Sequence, residues 1–247
     1  MKYMGSKNKY AEDILISINR EIVGFEAFSH VPYINWVEPF VGGANMIDKI
    51  PSSFKKIGND INHHLICMFR ELQNGWIPPV ECDESTYKNM MELSKTSQPS
   101  DIVNATIGFI GIGCSYSGKW FGGYARGNQE NGNPRNYCKE SQKNLLKQKP
   151  YIKDVLFISG DYQDLPIPKK SIIYCDPPYQ GTTKYKNNFD HNKFWKWCNE
   201  QILNGHKVFV SEYSAPEDWR CIWSKEVNNS LTKDTGSKKG IERLFTK

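Results

Sequence analysis

Short apolar runs alternate with amphipathic stretches along most of this 247-residue chain. Apolar positions three or four residues apart predict helices over about 7–22, 43–50, 61–75, 84–96, 99–110, 139–149 and 190–203. Compact apolar runs predict strands near 34–40, 54–59, 154–159, 171–176 and 207–211, and two later strands near 220–227 and 241–246. This alternation predicts an α/β fold, in which helices cover both faces of a mostly parallel sheet with an antiparallel edge. Ligands of such folds bind beyond the carboxyl ends of the strands.

The predicted strand near 171–176 ends in the tetrapeptide Asp176-Pro177-Pro178-Tyr179. The prolines fix φ and remove two backbone donors, so the chain leaves the strand extended and its carbonyl groups stay free to accept hydrogen bonds. A carboxylate, a free carbonyl group and an aromatic ring at one strand end suit the exocyclic amino group of a nucleobase. The simpler alternative is a Pro-Pro turn after a strand, with Tyr179 as a packing residue.

A second motif, Phe40-Val41-Gly42-Gly43, follows the first predicted strand. Glycines at such a turn let the backbone approach a ligand closely, although the third glycine of the dinucleotide-binding pattern is absent here. The next predicted strand ends in Asp60, about twenty residues later, a spacing that suits a carboxylate holding ribose hydroxyl groups. Together with the later tetrapeptide, these features favour ligand binding over ordinary turns.

In this order the motifs resemble those of Dam-type DNA adenine N6-methyltransferases of the D12 class, which phages and prophages often carry. The opening segment with Tyr3 and Lys7 is similar to the family's N-terminal cofactor segment, where an aromatic residue and a lysine four positions later contact S-adenosylmethionine. The resemblance covers nearly the whole chain and is thinnest between about 65 and 105. It implies a Rossmann-like, S-adenosylmethionine-dependent methyltransferase that acts on adenine N6 in double-stranded DNA.

The resemblance also implies roles for individual residues. The candidate cofactor-binding residues are Tyr3, Lys7, Phe40, Gly42, Gly43, Asp60, Asp161, Tyr162 and Asp176. The candidate catalytic residues are Asp176, Pro177, Pro178 and Tyr179. The target adenine has to be flipped out of the duplex, because its amino group is otherwise out of reach. Asp176 and the Pro177 carbonyl group would then accept the two amino hydrogens, and Tyr179 would stack on the base.

Basic charge is concentrated before the third predicted strand. Residues 109–153 contain eight Lys or Arg and two Glu, a net charge of +6 against +5 for the whole chain. Basic charge with interleaved aromatic residues suits binding to a phosphate backbone, and the alternative is an ordinary solvated surface. The candidate DNA-binding residues are Lys119, Trp120, Tyr124, Arg126, Arg135, Lys139, Lys143 and Lys147. We therefore expect residues 1–60 and 154–247 to form the catalytic domain, and 61–153 an inserted helical and hairpin subdomain for target recognition.

Composition limits the other classes of protein. Mean hydropathy is −0.62 and no apolar run approaches the roughly 20 residues of a membrane span. The start of the chain lacks the apolar stretch of a signal peptide, so we expect a cytoplasmic protein without a membrane partner, acting as a monomer or weak dimer. The seven cysteines include no Cys-x-x-Cys pair and the histidines show no metal-ligand spacing, so reduced thiols and no metal are expected.

Two other functions remain open on the sequence alone. A related enzyme would methylate N4 of cytosine, because the same pair of acceptors serves either amino group; the order of the motifs and Tyr179 favour adenine. A nucleic-acid-binding protein without catalysis would be indicated by a change in Asp176, Pro178 or the glycine turn, and all of these are intact.

Overall fold

The computed structural model describes residues 1–23, 33–96, 100–179, 189–228 and 239–247. The helices within these ranges are α1 (Ala11–Val23), α2 (His63–Gln73), α3 (Glu84–Leu93), α4 (Asp101–Gly113), α5 (Tyr137–Ile152) and α6 (His191–Leu203). The strands are β1 (Asn35–Glu38), β2 (Lys55–Asp60), β3 (Val155–Ser159), β4 (Ser171–Cys175), β5 (Lys207–Glu212), β6 (Arg220–Asn228) and β7 (Lys239–Thr246). These elements match the predicted ones to within a few residues, with one exception.

The exception is the helix predicted over 43–50, which is wrong. The segment contains only a single 3-10 turn at Ile47–Lys49. Gly42 and Ala44 have φ values of 47° and 54°, in the left-handed region that does not continue a right-handed helix. The Val41 N–H donates to the Asn59 carbonyl group at 2.7 Å, so the chain folds back on the end of β2 instead of winding into a helix.

The strands of the described residues form one seven-stranded sheet in the order β3-β2-β1-β4-β5-β7-β6. The pairs β2–β3, β1–β4 and β4–β5 are parallel, whereas β7 is antiparallel to both β5 and β6. The first five strands follow the Rossmann order, in which ligands bind outside the carboxyl ends of the strands where the order reverses. This confirms the predicted α/β fold with a mostly parallel sheet and an antiparallel edge, and places the reversal between β1 and β4.

The chain divides into two compact units. The first unit comprises Met1–Lys9, Val41–Ser52 and Lys56–Leu165, and the second comprises Tyr10–Phe40, Ser53–Lys55 and Pro166–Lys247. The division into a catalytic domain and an inserted subdomain at residues 61–153 stays a prediction.

Helices α2 and α4 pack in backbone contact within the first unit. A Cβ atom at Gly108 of α4 would lie only 2.2 Å from the carbonyl oxygen of His64 on α2, so no side chain fits there. On α2, Phe69 stacks on Phe157 of β3 with ring centroids 4.7 Å apart. The two helices therefore form a fixed frame joined to the strands of this unit.

In the second unit, β4 is buried along its whole length. Its Tyr174 stacks on Trp36 of β1, and the Tyr174 hydroxyl group is 2.8 Å from Ser211 Oγ of β5. The Trp36 indole N–H donates to Glu38 at 2.8 Å, which gives this buried carboxylate a partner. These contacts fix the strand from which Asp176 emerges.

No helix in the described ranges is long and apolar enough to cross a membrane.

Candidate active site

Asp60 ties the glycine turn to the end of β2 in the first unit. One carboxylate oxygen accepts the Gly42 N–H at 3.0 Å and the other accepts the Asn62 N–H at 2.9 Å. Burial raises the pKa of Asp60 above its usual value, although these two N–H donors act in the opposite direction. The sequence placed Asp60 and the glycine turn in one cofactor site, and the structure brings the two into direct contact.

Tyr3 lies against the same glycine turn. A Cβ atom at Gly42 would come within 2.8 Å of the Tyr3 ring, and one at Gly43 within 2.7 Å of Tyr3 Cβ. The turn therefore needs glycine because Tyr3 occupies the space of a side chain, in addition to the positive φ of Gly42. Lys7 is buried, and its ammonium group donates to the Gly5 carbonyl group at 3.1 Å.

The turn after β3 lies beside Asp60. The Gly160 N–H donates to the Asp60 carbonyl group at 3.2 Å. Asp161 accepts hydrogen bonds from the backbone and the side-chain amide of Gln163, at 2.9 Å and 3.1 Å, so its carboxylate caps the turn. Tyr162 is buried. Within the first unit the structure thus gathers Tyr3, the glycine turn, Asp60 and the Asp161 turn, all members of the predicted cofactor set.

Asp176 lies in the second unit, directly after β4. The Asp176 side chain is partly exposed, whereas Pro177 is buried and Pro178 is partly buried. Phe40 and Asp176 each lie three residues beyond the last paired positions of the neighbouring parallel strands β1 and β4. They therefore leave the sheet together, at the reversal of strand order where this class of fold binds ligands.

The Phe40 ring is packed within the second unit. Phe189 and Phe194 meet it edge-on, with centroid distances of 5.8 Å and 5.7 Å. In such edge-to-face contacts the positive edge of one aromatic ring meets the negative face of another, which fixes the orientation of the Phe40 ring.

Tyr179, the last residue of the tetrapeptide, is held by two side chains. Its hydroxyl group donates to Glu242 Oε2 of β7 at 2.7 Å, and the Tyr213 ring meets it edge-on with centroids 4.7 Å apart. Burial raises the pKa of Tyr179 well above its usual value, and the charges of Asp176 and Glu242 raise it further. The hydroxyl group therefore keeps its proton and acts as a donor. Glu242 was missed from the sequence, because a single acid on a late antiparallel strand carries no signal of its partner.

The aromatic residues of the basic segment are used in packing. Trp120 stacks on His64 with centroids 5.8 Å apart, and a Cβ atom at Gly111 would come within 2.7 Å of the Trp120 ring. Tyr124 donates to the Cys82 carbonyl group at 2.7 Å. Their predicted contact with DNA stays a prediction.

The basic side chains of this segment fall into two groups. Lys119 and three lysines spaced four residues apart on α5, Lys139, Lys143 and Lys147, are exposed. The two arginines are paired with acids instead: Arg126 with Glu84, and Arg135 with both oxygens of Glu140 at 2.6 Å and 2.7 Å.

The strand order and the polar groups at the strand ends are those of an α/β nucleotide-binding fold. A model of the D12 class N6 adenine-specific DNA methyltransferase family matches residues 3–104 and 122–233, which is most of the chain. The chain therefore belongs to the D12 class of N6 adenine-specific DNA methyltransferases. S-adenosylmethionine is the methyl donor of this family.

Other comparisons add little. No curated protein matches the chain. Among solved structures, the crystal structure of SMU.472, described as a methyltransferase and complexed with SAH, shares 11% identity with a TM-score of 0.34. The match covers 97% of this chain but 52% of the other, so the chain spans about half the length of that protein. A TM-score this low supports no conclusion about function.

Proposed function

We propose that this chain transfers a methyl group from S-adenosylmethionine to N6 of adenine in double-stranded DNA, with the target base flipped out of the helix. The observation that carries the proposal is the family match, whose two matched ranges contain both the glycine turn with Asp60 and the tetrapeptide that begins at Asp176. S-adenosylmethionine supplies the methyl group as a positively charged sulfonium. The residues of the chain have to bind this cofactor, orient the amino group and exclude water.

The first unit fits the nucleoside part of the cofactor. Each Asp60 oxygen accepts one backbone N–H and keeps further acceptor capacity for ribose hydroxyl groups. The turn at Gly42 and Gly43 exposes backbone without Cβ atoms, which permits close approach of a ligand. Tyr3 and Lys7 are the proposed contacts from the opening segment. Asp161 and Tyr162, in the turn beside Asp60, complete the proposed cofactor set of this unit together with the glycines.

The second unit supplies the proposed acceptors for the target. Asp176 and the Pro177 carbonyl group accept the two hydrogens of the adenine amino group, which directs the nitrogen lone pair towards the methyl group. Pro178 keeps the segment extended, and Tyr179 stacks on the flipped base. Phe40 or Tyr3 would offer an aromatic face to the sulfonium of the bound cofactor. The barrier to in-line transfer falls through orientation and acceptors already in place.

The decisive experiment is mass spectrometry of nucleosides from duplex DNA incubated with the protein and S-adenosylmethionine. N6-methyladenine is the expected product. N4-methylcytosine would instead identify a cytosine-specific enzyme, and the absence of any modified base would identify a binding protein without catalysis. Single-stranded DNA of the same sequence is the matched substrate that tests the preference for a duplex.

Asp60→Ala should weaken binding of S-adenosylmethionine, because it removes charge-assisted hydrogen bonds worth about 1–3 kcal/mol. Wild-type affinity should also fall as the pH drops through the raised pKa of Asp60, since the carboxylate form makes these bonds, and Asp60→Asn should lack this pH dependence. Isothermal titration calorimetry measures both effects. Asp164→Ala, a change of an exposed acid in the same unit, is the control. Unchanged affinity in a folded Asp60→Ala variant would exclude Asp60 from the cofactor site.

Replacing the exposed α5 lysines one at a time should weaken binding to all DNA sequences alike. Lysine contributes a point charge without a fixed hydrogen-bonding fork, so its contact is with phosphate rather than with a base edge. Each of Lys139→Ala, Lys143→Ala and Lys147→Ala should make the salt dependence of binding shallower by about one unit. Fluorescence anisotropy at several salt concentrations measures this slope, and an unchanged slope in all three variants would place the DNA elsewhere.

Replacing Arg126 or Arg135 should instead relax sequence choice. An arginine binds a guanine edge in two places, which is worth about 1–3 kcal/mol of discrimination. Methylation maps of DNA from expressing cells, compared between wild type and each variant, give the readout. An unchanged sequence preference in both variants would move recognition to the aromatic segment around Trp120 and Tyr124.

A further inference from the structure

Three side chains with different ligating atoms meet where α2 and α4 begin. His63 and Cys67 lie one helical turn apart on α2, and Asp101 is the first residue of α4. The ring nitrogen, the thiol sulfur and the carboxylate oxygen that they offer all lie within 4.8 Å of one another. His63 Nε2 and Cys67 Sγ are 3.2 Å apart. Imidazole, thiolate and carboxylate are the three ligand types that zinc uses in proteins.

The separations between the three ligand atoms are close to those around a tetrahedrally coordinated zinc ion. Zinc bonds of about 2.0–2.3 Å separate neighbouring ligand atoms by about 3.3–3.6 Å. The atoms on His63 and Cys67, 3.2 Å apart, are within about 0.4 Å of this separation. All of the ligand atoms lie within 4.8 Å of one another, so the remaining separations need to close by no more than about 1.5 Å. His63 and Asp101 are exposed, so their side chains have room to rotate towards a shared ion.

The frame beneath the ligands is rigid and one side of the site is open. The backbone contact between Gly108 and His64 holds the two helices together without an intervening side chain. Cys67 is 2% exposed, whereas His63 and Asp101 reach solvent, so an ion can enter from outside and bind the thiol at the base of the site.

We propose that His63, Cys67 and Asp101 bind a divalent cation of the zinc class, with water in the fourth position, and that the ion clamps α2 to α4. None of the three ligands belongs to the proposed methyl-transfer residues, although α2 begins only three residues after Asp60. Spacing between histidines alone could not reveal it, because the second ligand is a cysteine four residues along a helix and the third comes from another helix.

A second group of thiols is the main competitor for a soft metal. Cys82, Cys114 and Cys138 line a cavity of about 320 Å³. Cys82 and Cys138 are already satisfied, because their thiols donate to the carbonyl groups of Asp83 at 3.5 Å and Pro79 at 3.3 Å. The group also lacks a histidine, so we assign the cation to Cys67 and use Cys82 as the matched control.

The test is a titration of the full-length, chelator-treated protein with cobalt(II), whose bond to a thiolate absorbs strongly in the near ultraviolet, and with zinc by calorimetry. We expect one equivalent to bind to wild type with the thiolate absorption and a rise in Tm. Cys67→Ser should abolish the absorption and lower zinc affinity by at least about 10-fold. Cys82→Ser should change neither.

Two further variants keep the test independent of the buried thiol. Asp101→Asn and His63→Gln change exposed side chains, so they should fold normally and still lower zinc affinity. The proposal is overturned if wild type binds no zinc, if the thiolate absorption survives in Cys67→Ser, or if Cys82→Ser removes it. Zinc affinity equal to that of wild type in both exposed variants would contradict it as well.

Discussion

Asp176→Ala should abolish methyl transfer, a loss of at least about 10³-fold, while the protein remains folded. Removing a single preorganised polar contact to the reacting group commonly costs 10²–10³-fold. Asp176 is proposed to do more, because it accepts a hydrogen bond from the amino group whose nitrogen attacks the methyl group. The side chain is partly exposed beyond the end of β4, so its loss leaves the buried strand and its contacts in place.

Single-turnover rates with saturating cofactor and DNA measure this loss. Thermal unfolding shows whether the variant is folded, and Glu217→Ala removes an exposed acid of the same unit as a control for charge. Asp176→Asn, which keeps one acceptor oxygen, should retain more activity than Asp176→Ala. A folded Asp176→Ala variant with activity within tenfold of wild type would refute the assignment.

Tyr179→Ala should lower kcat/KM by about 5- to 150-fold, because stacking of a base on an aromatic ring is worth about 1–3 kcal/mol. The roles of the ring and of its hydroxyl group can be tested separately, because the hydroxyl group has its own partner in Glu242. Tyr179→Phe keeps the ring and loses only the hydrogen bond to Glu242, so a smaller effect is expected. Glu242→Gln retains an oxygen that accepts from Tyr179 and should be close to wild type.

A fluorescent adenine analogue at the target position reports flipping and stacking separately from transfer. The Ala variant should lose the signal change that accompanies stacking, and the Phe variant should keep it. Equal losses of kcat/KM in Tyr179→Phe and Tyr179→Ala would show that the hydroxyl group, held by Glu242, matters rather than the ring.

Most of the fold could be predicted because the local periodicity of apolar residues indicates each strand and helix, and their alternation indicates an α/β fold. The wrong helix at 43–50 shows the limit of such patterns. Its apolar spacing is helical, yet Gly42 and Ala44 have left-handed φ values, and the Gly42 N–H meets Asp60 where Tyr3 lies against the turn. Tertiary contacts therefore overrode local periodicity at a turn where the backbone is proposed to approach the cofactor.

The sequence could predict those candidate site residues that are adjacent in the chain, such as the tetrapeptide, or that follow neighbouring strands at a characteristic spacing, such as Asp60. The sequence selected both Asp60 and Gly42 as cofactor-binding candidates, and the two are in direct contact; their contact with the cofactor stays a prediction. Glu242 reaches Tyr179 from 63 residues away, across an antiparallel register that the sequence does not specify. Aromatic residues among glycines, such as Trp120, look the same in sequence whether they face DNA or pack on a helix.

If Arg126 and Arg135 read bases as proposed, their acid partners Glu84 and Glu140 compete with those bases for the guanidinium groups. Exposed ion pairs are worth about 0–1 kcal/mol, whereas a correct guanine edge offers about 1–3 kcal/mol. A matching base can therefore draw the arginine away from Glu84 or Glu140, and a mismatched base cannot. Under that proposal, the two ion pairs would disfavour binding at DNA sites that lack the matching base.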